Sequence, residues 1–298
     1  MNKIECMRKM KYPGQKRGDG CYGVIQIIIT NHCDIGQCSN CTQLICHQRN
    51  RFCMKLDNVK RAIDSLIDYP GVIGIFGGNP CIHPQFKEIT AYMKERIPDK
   101  KRRGLWTNNF RGYGKIIVDT YGYMNLNVHT NKEAQMEMAE HIDPATPIWG
   151  TTPSHHAPVL VSPIDFGIEE SQRYDLIANC DVNQRWSPAV TEHDGELFCY
   201  LCEVGAAFAG MTEETQYGMP FTPTWWKHPV IDFQDQLCFC HNCGVPLKMK
   251  GHNDVEFVDD ISRSYQMVGN RRQKRVVHTS LDSTIDEATD YQGLRHKQ

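Results

Sequence analysis

The sequence predicts an α/β protein with parallel strands, followed by a small segment stapled by metal. Short apolar runs rich in β-branched residues alternate with stretches of helical periodicity from about residue 24 to 165, which is the pattern of strand–helix–strand units. Polar or glycine-rich turns follow those apolar runs. Cysteines gather in two groups, one after the first apolar run and one from residue 180 onward. The parallel sheet is expected to be either open or closed into a barrel.

Composition narrows the class of protein. The chain has 298 residues, 40% of them hydrophobic, which suits one large core or a main domain with an appendage. Its 33 basic and 35 acidic residues give a formal net charge of −2, so no overall field attracts nucleic acid or an anionic membrane. No apolar run approaches the ~20 residues of a membrane span, and the N-terminus lacks a signal-peptide core. We expect a cytoplasmic protein without a membrane partner, whose 14 cysteines bind metal rather than form disulfides.

The first predicted strand and helix follow an N-terminal arm. Residues 1–22 are basic and glycine-rich without periodicity, which predicts a flexible or capping arm. The β-branched run at 24–30 predicts a strand that enters a cysteine-containing loop directly. Apolar residues then recur at helical spacing over 56–67 and stop at a Tyr-Pro-Gly sequence, so a helix is expected there.

Further strands and helices continue the alternation. Residues 72–76 predict a second buried strand that ends in Gly77-Gly78-Asn79-Pro80. A helix opened by Pro84 follows, because proline suits the first turn of a helix. The remaining elements expected in this part are strands at 103–107, 123–129 and 158–161, and a helix at 132–142.

The turns after these strands carry the candidate site. In parallel α/β folds the carboxyl ends of the strands meet on one face, where active sites lie. The cysteine loop, the glycine turn at 77–80, Thr107-Asn108-Asn109 and His129-Thr130 all follow predicted strands. They are therefore expected to gather on that face.

Three cysteines occupy the first loop in the pattern Cys33-x4-Cys38-x2-Cys41. Thiolates at this spacing can share one soft metal centre, either zinc or an iron–sulfur cluster. A structural zinc site takes four protein ligands, whereas three thiolates on a cluster leave one metal position open for chemistry. The zinc alternative needs a fourth ligand from Cys46, Cys53 or His47.

The cysteine loop and the glycine turn together resemble the radical S-adenosylmethionine superfamily. In that family a Cys-x3-Cys-x2-Cys loop after the first strand binds a 4Fe-4S cluster, and a Gly-Gly-Glu-Pro turn binds the amino group of S-adenosylmethionine. Here the first gap is one residue longer, and Asn40 stands where an aromatic residue is frequent. Asn79 replaces the glutamate, so its contact with an ammonium group lacks full charge assistance.

The resemblance implies a partial (β/α)6-type barrel over residues 23–175. It implies a 4Fe-4S cluster on Cys33, Cys38 and Cys41, reduced by an electron donor such as flavodoxin or ferredoxin. Reductive cleavage of S-adenosylmethionine to a 5'-deoxyadenosyl radical, followed by hydrogen abstraction from an organic substrate, is the implied activity. The residues implied to hold the cofactor are Gly77, Gly78, Asn79, Thr107, Asn108 and His129.

The second group of cysteines resembles the SPASM and twitch domains that carry auxiliary clusters in some of these enzymes. The resemblance places this domain at residues 176–261, before a polar tail at 262–298. It implies one auxiliary 4Fe-4S cluster, with Gly195 as the motif glycine. Paired Cys-x2-Cys spacing is also typical of a zinc ribbon, so structural zinc is the alternative. The implied ligands are Cys180, Cys240, Cys243 and one of Cys199 or Cys202.

The substrate class is left open between two hypotheses. A peptide is the common partner of SPASM-type relatives. A nucleotide or DNA-type substrate with a modified base is the other, favoured by basic segments at both ends and by Trp186, Trp225 and Trp226, although these tryptophans also suit the core of the small domain. His155-His156 is not expected to form a shared metal site, because neighbouring residues of an extended chain point in opposite directions. A different class of function is a zinc-stabilised structural or nucleic-acid-binding module without catalysis.

Overall fold

A computed structural model of the chain describes residues 1–18, 20–127, 132–142, 148–149, 156–185, 187–267 and 275–279. Strands are numbered in chain order. Their bounds are β1 Val24–Thr30, β2 Val72–Gly77, β3 Arg103–Thr107, β4 Tyr123–Leu126, β5 Ile148–Trp149, β6 Ala189–His193, β7 Glu196–Tyr200, β8 Met219–Pro220, β9 Val258–Ile261 and β10 Arg275–His278.

The first eight strands form one sheet in the order β5-β4-β3-β2-β1-β6-β7-β8. All neighbouring pairs from β5 to β6 are parallel, whereas β7 and β8 join as antiparallel strands at one edge. The predicted α/β class with a mainly parallel sheet is confirmed.

Helices alternate with the parallel strands in the first half of the chain. In the described residues, no helix is both long and apolar enough to cross a membrane. The helix bounds are α1 Lys3–Lys9, α2 Leu56–Asp64, α3 Phe86–Arg96, α4 Gly114–Thr120, α5 Lys132–His141, α6 Glu170–Ala178, α7 Asp181–Arg185, α8 Glu203–Thr212 and α9 Leu237–Asn242.

Strand β1 is buried along its whole length, which explains its continuous run of β-branched residues. Ile25, Ile27 and Ile29 pack into the larger hydrophobic cluster. Val24 and Ile28 pack into a second cluster, formed largely with residues from the C-terminal half of the chain. The sheet therefore has a core on both faces, and β1 lies between them.

The N-terminal arm is more ordered than its sequence indicates. Asn2 caps α1 by accepting the backbone N–H of Glu5 at 3.0 Å, and Cys6 and Met7 of this helix are buried. The helix packs against α6. Of the two forms predicted for residues 1–22, the structure shows a capping element.

The predicted strand at residues 158–161 is wrong. Leu160 forms only an isolated parallel bridge with Ile261. The carbonyl of Val159 accepts the N–H of Gly244 at 3.1 Å, and the carbonyl of Leu160 accepts that of Ser262 at 3.0 Å. The apolar run is buried because the C-terminal segment pairs with it, and the strand next to β4 is instead the short β5.

The segment after residue 176 contributes to the main sheet. Strand β6 pairs with β1 and turns into β7 through Asp194 and Gly195, with φ angles of 51° and 86°. Two left-handed residues in a two-residue hairpin loop make a turn that matches the twist of the strands. Gly195, singled out as a motif glycine, is thus required by the hairpin.

Two further sequence expectations concern the C-terminal half. Trp225 and Trp226 are buried in the larger cluster and donate their indole N–H groups to Ser65, so they belong to the main core. The tail predicted to be polar contains β10, which pairs in parallel with β9. Trp186 and the basic residues at 271–274 lie outside the described residues.

Candidate metal and cofactor site

The three cysteines of the first loop and the glycine turn line one cavity at the carboxyl ends of β1 to β4. About 590 Å³ of space, which includes open solvent, lies between its walls. Its lining includes Cys33, Cys38, Cys41, Thr42, Gln43, Ile45, Phe76, Gly77, Gly78, Trp106, Thr107, Asn108, Asn127 and His156. The convergence of these turns agrees with the expectation from strand order.

The glycine turn lies directly against the start of the cysteine loop. Gly77 has φ 148°, and a Cβ there would lie 2.1 Å from the carbonyl oxygen of Thr30. A Cβ on Gly78 would lie 2.2 Å from that of His32. The N–H of Gly78 donates to Thr30 at 3.0 Å, and the N–H of Asn79 donates to His32 at 2.6 Å. Only glycine allows this approach, so the turn fixes where the loop begins.

Cys33 is surrounded by hydrogen-bond donors. The Nδ2 of Asn108 donates to its Sγ at 3.1 Å, and the backbone N–H groups of Gly36 and Ile35 also point to the sulfur. Burial raises the pKa of the Cys33 thiol, while these three donors act in the opposite direction. Such donors suit a sulfur that carries negative charge, as a metal-bound thiolate does.

The rest of the loop is held by the distant strand β9. Asn40 is 3% exposed with φ 48°; its Nδ2 donates to Asp260 at 2.7 Å, and its Oδ1 accepts the N–H of Asp260 at 2.9 Å. The N–H of Asn40 donates to Asp259 at 2.8 Å. Asn40 therefore suits a left-handed position between Cys38 and Cys41.

Asn79 is not among the residues that line the cavity. Its side chain is fully buried, and its Oδ1 accepts hydrogen bonds from the N–H of Cys81 at 3.1 Å and the hydroxyl of Thr107 at 2.8 Å. Its Nδ2 donates to Asp34 and, at 3.1 Å, to the carbonyl of Asn109. In this arrangement the amide joins three turns, and its direct contact with a cofactor stays a prediction.

The candidate fourth ligands of the zinc alternative lie away from the cavity. The thiol of Cys46 donates to the carbonyl of Gly36, and the Sγ of Cys53 lies 3.4 Å from the hydroxyl of Thr30. His47 Nε2 lies 2.6 Å from Asp259, with both side chains buried. None of these three residues lines the cavity.

Two residues that line the cavity are not among the site residues predicted from the sequence, and one predicted site residue lies outside the described residues. His156 lines the cavity with its Nδ1 3.0 Å from the carbonyl of Ser39, and Asn127 lies just past the end of β4. His129 lies outside the described residues. In the sequence Asn127 falls inside the strand predicted at 123–129, and only the end of β4 at Leu126 places it in the turn that follows the strand.

The second group of cysteines surrounds a separate, almost entirely apolar cavity. Cys180, Cys202, Cys240 and Cys243 all line it, together with apolar residues such as Met10, Phe208 and Phe239. Cys199 does not line it; this thiol is fully buried in the core through β7. The structure therefore brings Cys202, rather than Cys199, to the other three cysteines.

The electrostatics of these thiols reflect their proximity. Burial, and after it the neighbouring Cys180, raises the pKa of Cys202, of Cys240 and of Cys243. Cys202 precedes α8, and its Sγ accepts the N–H of Val204 at 3.3 Å. Forming several thiolates close together in an apolar cavity costs free energy when no cation is present. A bound cation would remove that cost.

The arrangement of the thiols bears on the size of the group that fits. A tetrahedral zinc site with Zn–S bonds of about 2.3 Å needs its thiolates to converge on one point. Within the described ranges, no group of three or more His, Cys, Asp or Glu side chains is placed to hold a single metal ion. Each thiol set lines a cavity of its own.

Comparisons with known proteins gave structural likenesses only. No family model and no curated protein matches the sequence. The crystal structure of BtrN in complex with AdoMet and 2-DOIA has a TM-score of 0.47 and 13% identity, covering 74% of this chain and 92% of that one. Selenomethionine BtrN in an open conformation has a TM-score of 0.40 and 12% identity, covering 76% and 88%. TM-scores below 0.5 at 12–13% identity do not indicate a function for this chain.

Proposed function

We propose that the chain is a radical S-adenosylmethionine enzyme acting on an organic substrate. The observation that carries the proposal is that Cys33, Cys38 and Cys41 line the same cavity as the Gly77-Gly78 turn, at the carboxyl ends of parallel strands. Three thiolates can hold a 4Fe-4S cluster and leave one metal position open. The fold and the loop path fit that role.

The chain's own residues have distinct tasks in this proposal. The three thiolates hold the cluster, and Asn108 donates to the sulfur of Cys33. Asn79 keeps the cysteine loop, the glycine turn and the turn after β3 in register. When bound, the reduced cluster would supply one electron, from a donor such as flavodoxin or ferredoxin, to cleave S-adenosylmethionine into methionine and a hydrogen-abstracting 5'-deoxyadenosyl radical.

We assign a second, auxiliary 4Fe-4S cluster to Cys180, Cys202, Cys240 and Cys243. Support comes from the four thiols around one apolar cavity. Four protein ligands leave no open metal position, so electron relay or structural support suits this cluster better than substrate binding. The proposed substrate is a peptide or a nucleotide.

Anaerobic reconstitution of the full chain with iron and sulfide tests the first cluster. The wild type should bind about eight irons, as expected for two four-iron clusters, and should cleave S-adenosylmethionine under reduction. Cys33→Ala should lose about half of the iron and all cleavage. Cys46→Ala is the matched control, because Cys46 is in the same loop but does not line the cavity. Equal iron in Cys33→Ala and wild type would contradict the assignment.

The second cluster has its own matched pair of variants. Cys202→Ala should lose the iron of one cluster, whereas Cys199→Ala should keep it, because only Cys202 lines the four-thiol cavity. The reverse result would place Cys199 among the ligands. Unchanged iron in both variants would remove the auxiliary cluster from the proposal.

A zinc-stabilised module is the second candidate function, favoured by one observation. His156 lines the first cavity with the three cysteines, and three cysteines with one histidine are a common structural zinc set, so zinc binding would need these side chains to move closer together than they lie in the described structure. Metal analysis of protein purified without air separates the candidates. Colourless protein with zinc that is lost in His156→Ala would establish the module and exclude the enzyme.

A further inference from the structure

Trp106 extends from the first cavity across one face of the sheet. The residue lies near the carboxyl end of β3 and lines the cavity. Its ring lies over Gly104 of the same strand and Gly74 of β2, where a Cβ would be 2.7 Å and 2.6 Å from Trp106 Cζ3. Contacts between carbon atoms are normally about 3.5–4.0 Å long, so any larger residue at either position would displace the ring. The two glycines therefore keep a slot for the indole.

At the far end of this slot the indole meets Tyr123, the first residue of β4. The two rings are stacked, with their centroids 5.3 Å apart and an interplanar angle of 27°. Trp106 is 3% exposed, whereas Tyr123 is half-buried. Because the amino ends of parallel strands lie opposite their carboxyl ends, the pair of rings leads from the cavity to a side chain that solvent reaches at the other end of the sheet.

Packing alone does not account for the indole. The Nε1–H group of Trp106 is buried, and among the described residues it has no hydrogen-bond partner. Buried indole N–H groups usually have a partner, and an unpaired donor costs stability. A phenylalanine in the slot would avoid that cost. What tryptophan and tyrosine offer beyond phenylalanine is redox chemistry, because both lose one electron far more readily.

The neighbouring thiols give that chemistry a use. Cys33, Cys38 and Cys41 line the same cavity as Trp106, and cysteine sulfur oxidises to acids that are hard to restore. We infer that Trp106 and Tyr123 form a path that carries an oxidising equivalent out of the first cavity to a thiol reductant in solution. This inference rests on the proposed function, since that function supplies the radical.

Each step of the Trp106–Tyr123 path moves one electron and one proton. A 5'-deoxyadenosyl radical left without substrate takes a hydrogen atom from the indole N–H of Trp106, which gives 5'-deoxyadenosine and a neutral indolyl radical. Tyr123 then gives an electron to Trp106 and releases its hydroxyl proton, while the indole nitrogen takes a proton up. A thiol returns a hydrogen atom to the tyrosyl radical, and two of the resulting thiyl radicals join as a disulfide.

Electron paramagnetic resonance of the reconstituted full chain tests the path. The protein is reduced, excess reductant is removed, and S-adenosylmethionine is added without substrate before freezing. A tyrosyl radical should appear, identified by the narrower spectrum of protein made with ring-deuterated tyrosine. Its yield should fall at least tenfold in Trp106→Phe and in Tyr123→Phe.

Tyr113→Phe is the matched control and should keep the full yield of the tyrosyl radical. Tyr113 is also half-buried, and its ring packs on Phe86 with the centroids 5.2 Å apart. Formation of 5'-deoxyadenosine without a tyrosyl radical would overturn the path and leave the proposed function standing. Full radical yield in Tyr123→Phe would overturn the path as well. If no 5'-deoxyadenosine forms, the proposed function fails and the path fails with it.

Pulse radiolysis measures the same transfer without S-adenosylmethionine. Azide radicals oxidise tryptophan, and the tryptophyl radical should then convert to a tyrosyl radical within the molecule. The yield of this conversion should be lower in Trp106→Phe and Tyr123→Phe than in wild type and unchanged in Tyr113→Phe. Equal conversion in all four proteins would exclude transfer between the two rings. Thermal unfolding checks the fold of each variant, and Tyr123→Phe, which lacks a single oxygen atom, decides the question if Trp106→Phe does not fold.

Discussion

At the scale of single residues, Asn40 holds the loop of Cys33, Cys38 and Cys41 against a distant strand. Its left-handed backbone and its paired amide connect the loop to Asp260. The partner lies 220 residues away in the sequence, so no local pattern indicates the contact. The cysteine spacing is readable from the sequence, but the restraint on the loop is not.

Asn40→Ala should therefore destabilise the protein by about 2–3 kcal/mol, because it leaves a buried carboxylate with fewer donors. Urea unfolding of protein with matched metal content measures the change. Asn50→Ala, on the exposed surface, should stay within about 0.5 kcal/mol of wild type. Similar small losses in both variants would show that the contact with Asp260 adds nothing to stability.

If the proposed first cluster is bound, Asn108 is the residue through which the protein can tune it. Hydrogen bonds to cluster sulfurs help to set the reduction potential, because they stabilise the more negative state. Asn108→Leu removes the donor to Cys33 and should make the potential more negative. A redox titration followed by electron paramagnetic resonance measures it. Asn109→Leu is the control, since its side chain contacts the N–H of Arg111 and no cysteine; equal shifts would rule out the hydrogen bond as the cause.

At the scale of elements, the first half of the chain follows its sequence closely. Strands β1 to β4 and helices α2 and α3 form where apolar periodicity predicts them because the two faces of a covered parallel sheet impose that pattern. The prediction fails at 158–161, where an apolar run is buried by the C-terminal segment without entering the sheet. Apolar periodicity indicates that a segment is buried. Whether the buried segment is a strand depends on whether a neighbouring strand forms a ladder of hydrogen bonds with it.

The choice between Cys199 and Cys202 also depends on the position of each residue in the fold and not on the sequence pattern. Cys199 is within β7 and Cys202 is at the start of α8. Cysteine spacing treats both as candidate ligands, whereas the end of the strand turns only Cys202 toward Cys180, Cys240 and Cys243. Motif spacing therefore identifies this group of cysteines but does not indicate which four of them line one cavity.

The end of strand β6 makes the fold sensitive to acid. Burial lowers the pKa of His193 from 6.5 to about 4, so its neutral form is favoured in the folded chain. Between those values the unfolded chain binds more protons, and stability should fall by about 3 kcal/mol as the pH drops from about 6.5 to about 4. His193→Phe should remove that part of the loss in urea unfolding measured across this range. An unchanged pH dependence in the variant would assign the acid sensitivity to other groups.

At the scale of the whole molecule, the two thiol sets join different lengths of chain. Cys33, Cys38 and Cys41 lie on one loop, whereas the second set connects the residue before α7, the residue before α8, helix α9 and the residue after it. These elements flank the cavity that Met10 also lines. A group bound by the second set would therefore join the start of α7, the start of α8 and helix α9.

Loss of the proposed second cluster should for this reason destabilise the protein more than loss of the proposed first cluster. A cross-link that closes longer stretches of chain removes more conformational entropy from the unfolded state, and metal-binding energy adds to folding energy. We expect Cys202→Ala to lower the thermal midpoint of reconstituted protein by at least 5 °C more than Cys33→Ala does, since about 1 kcal/mol shifts the midpoint by about 2–4 °C in a chain of this size. Anaerobic calorimetry of both variants beside Cys199→Ala measures the difference. A larger drop in Cys33→Ala would mean that the first loop, and not the four-thiol cavity, holds the molecule together.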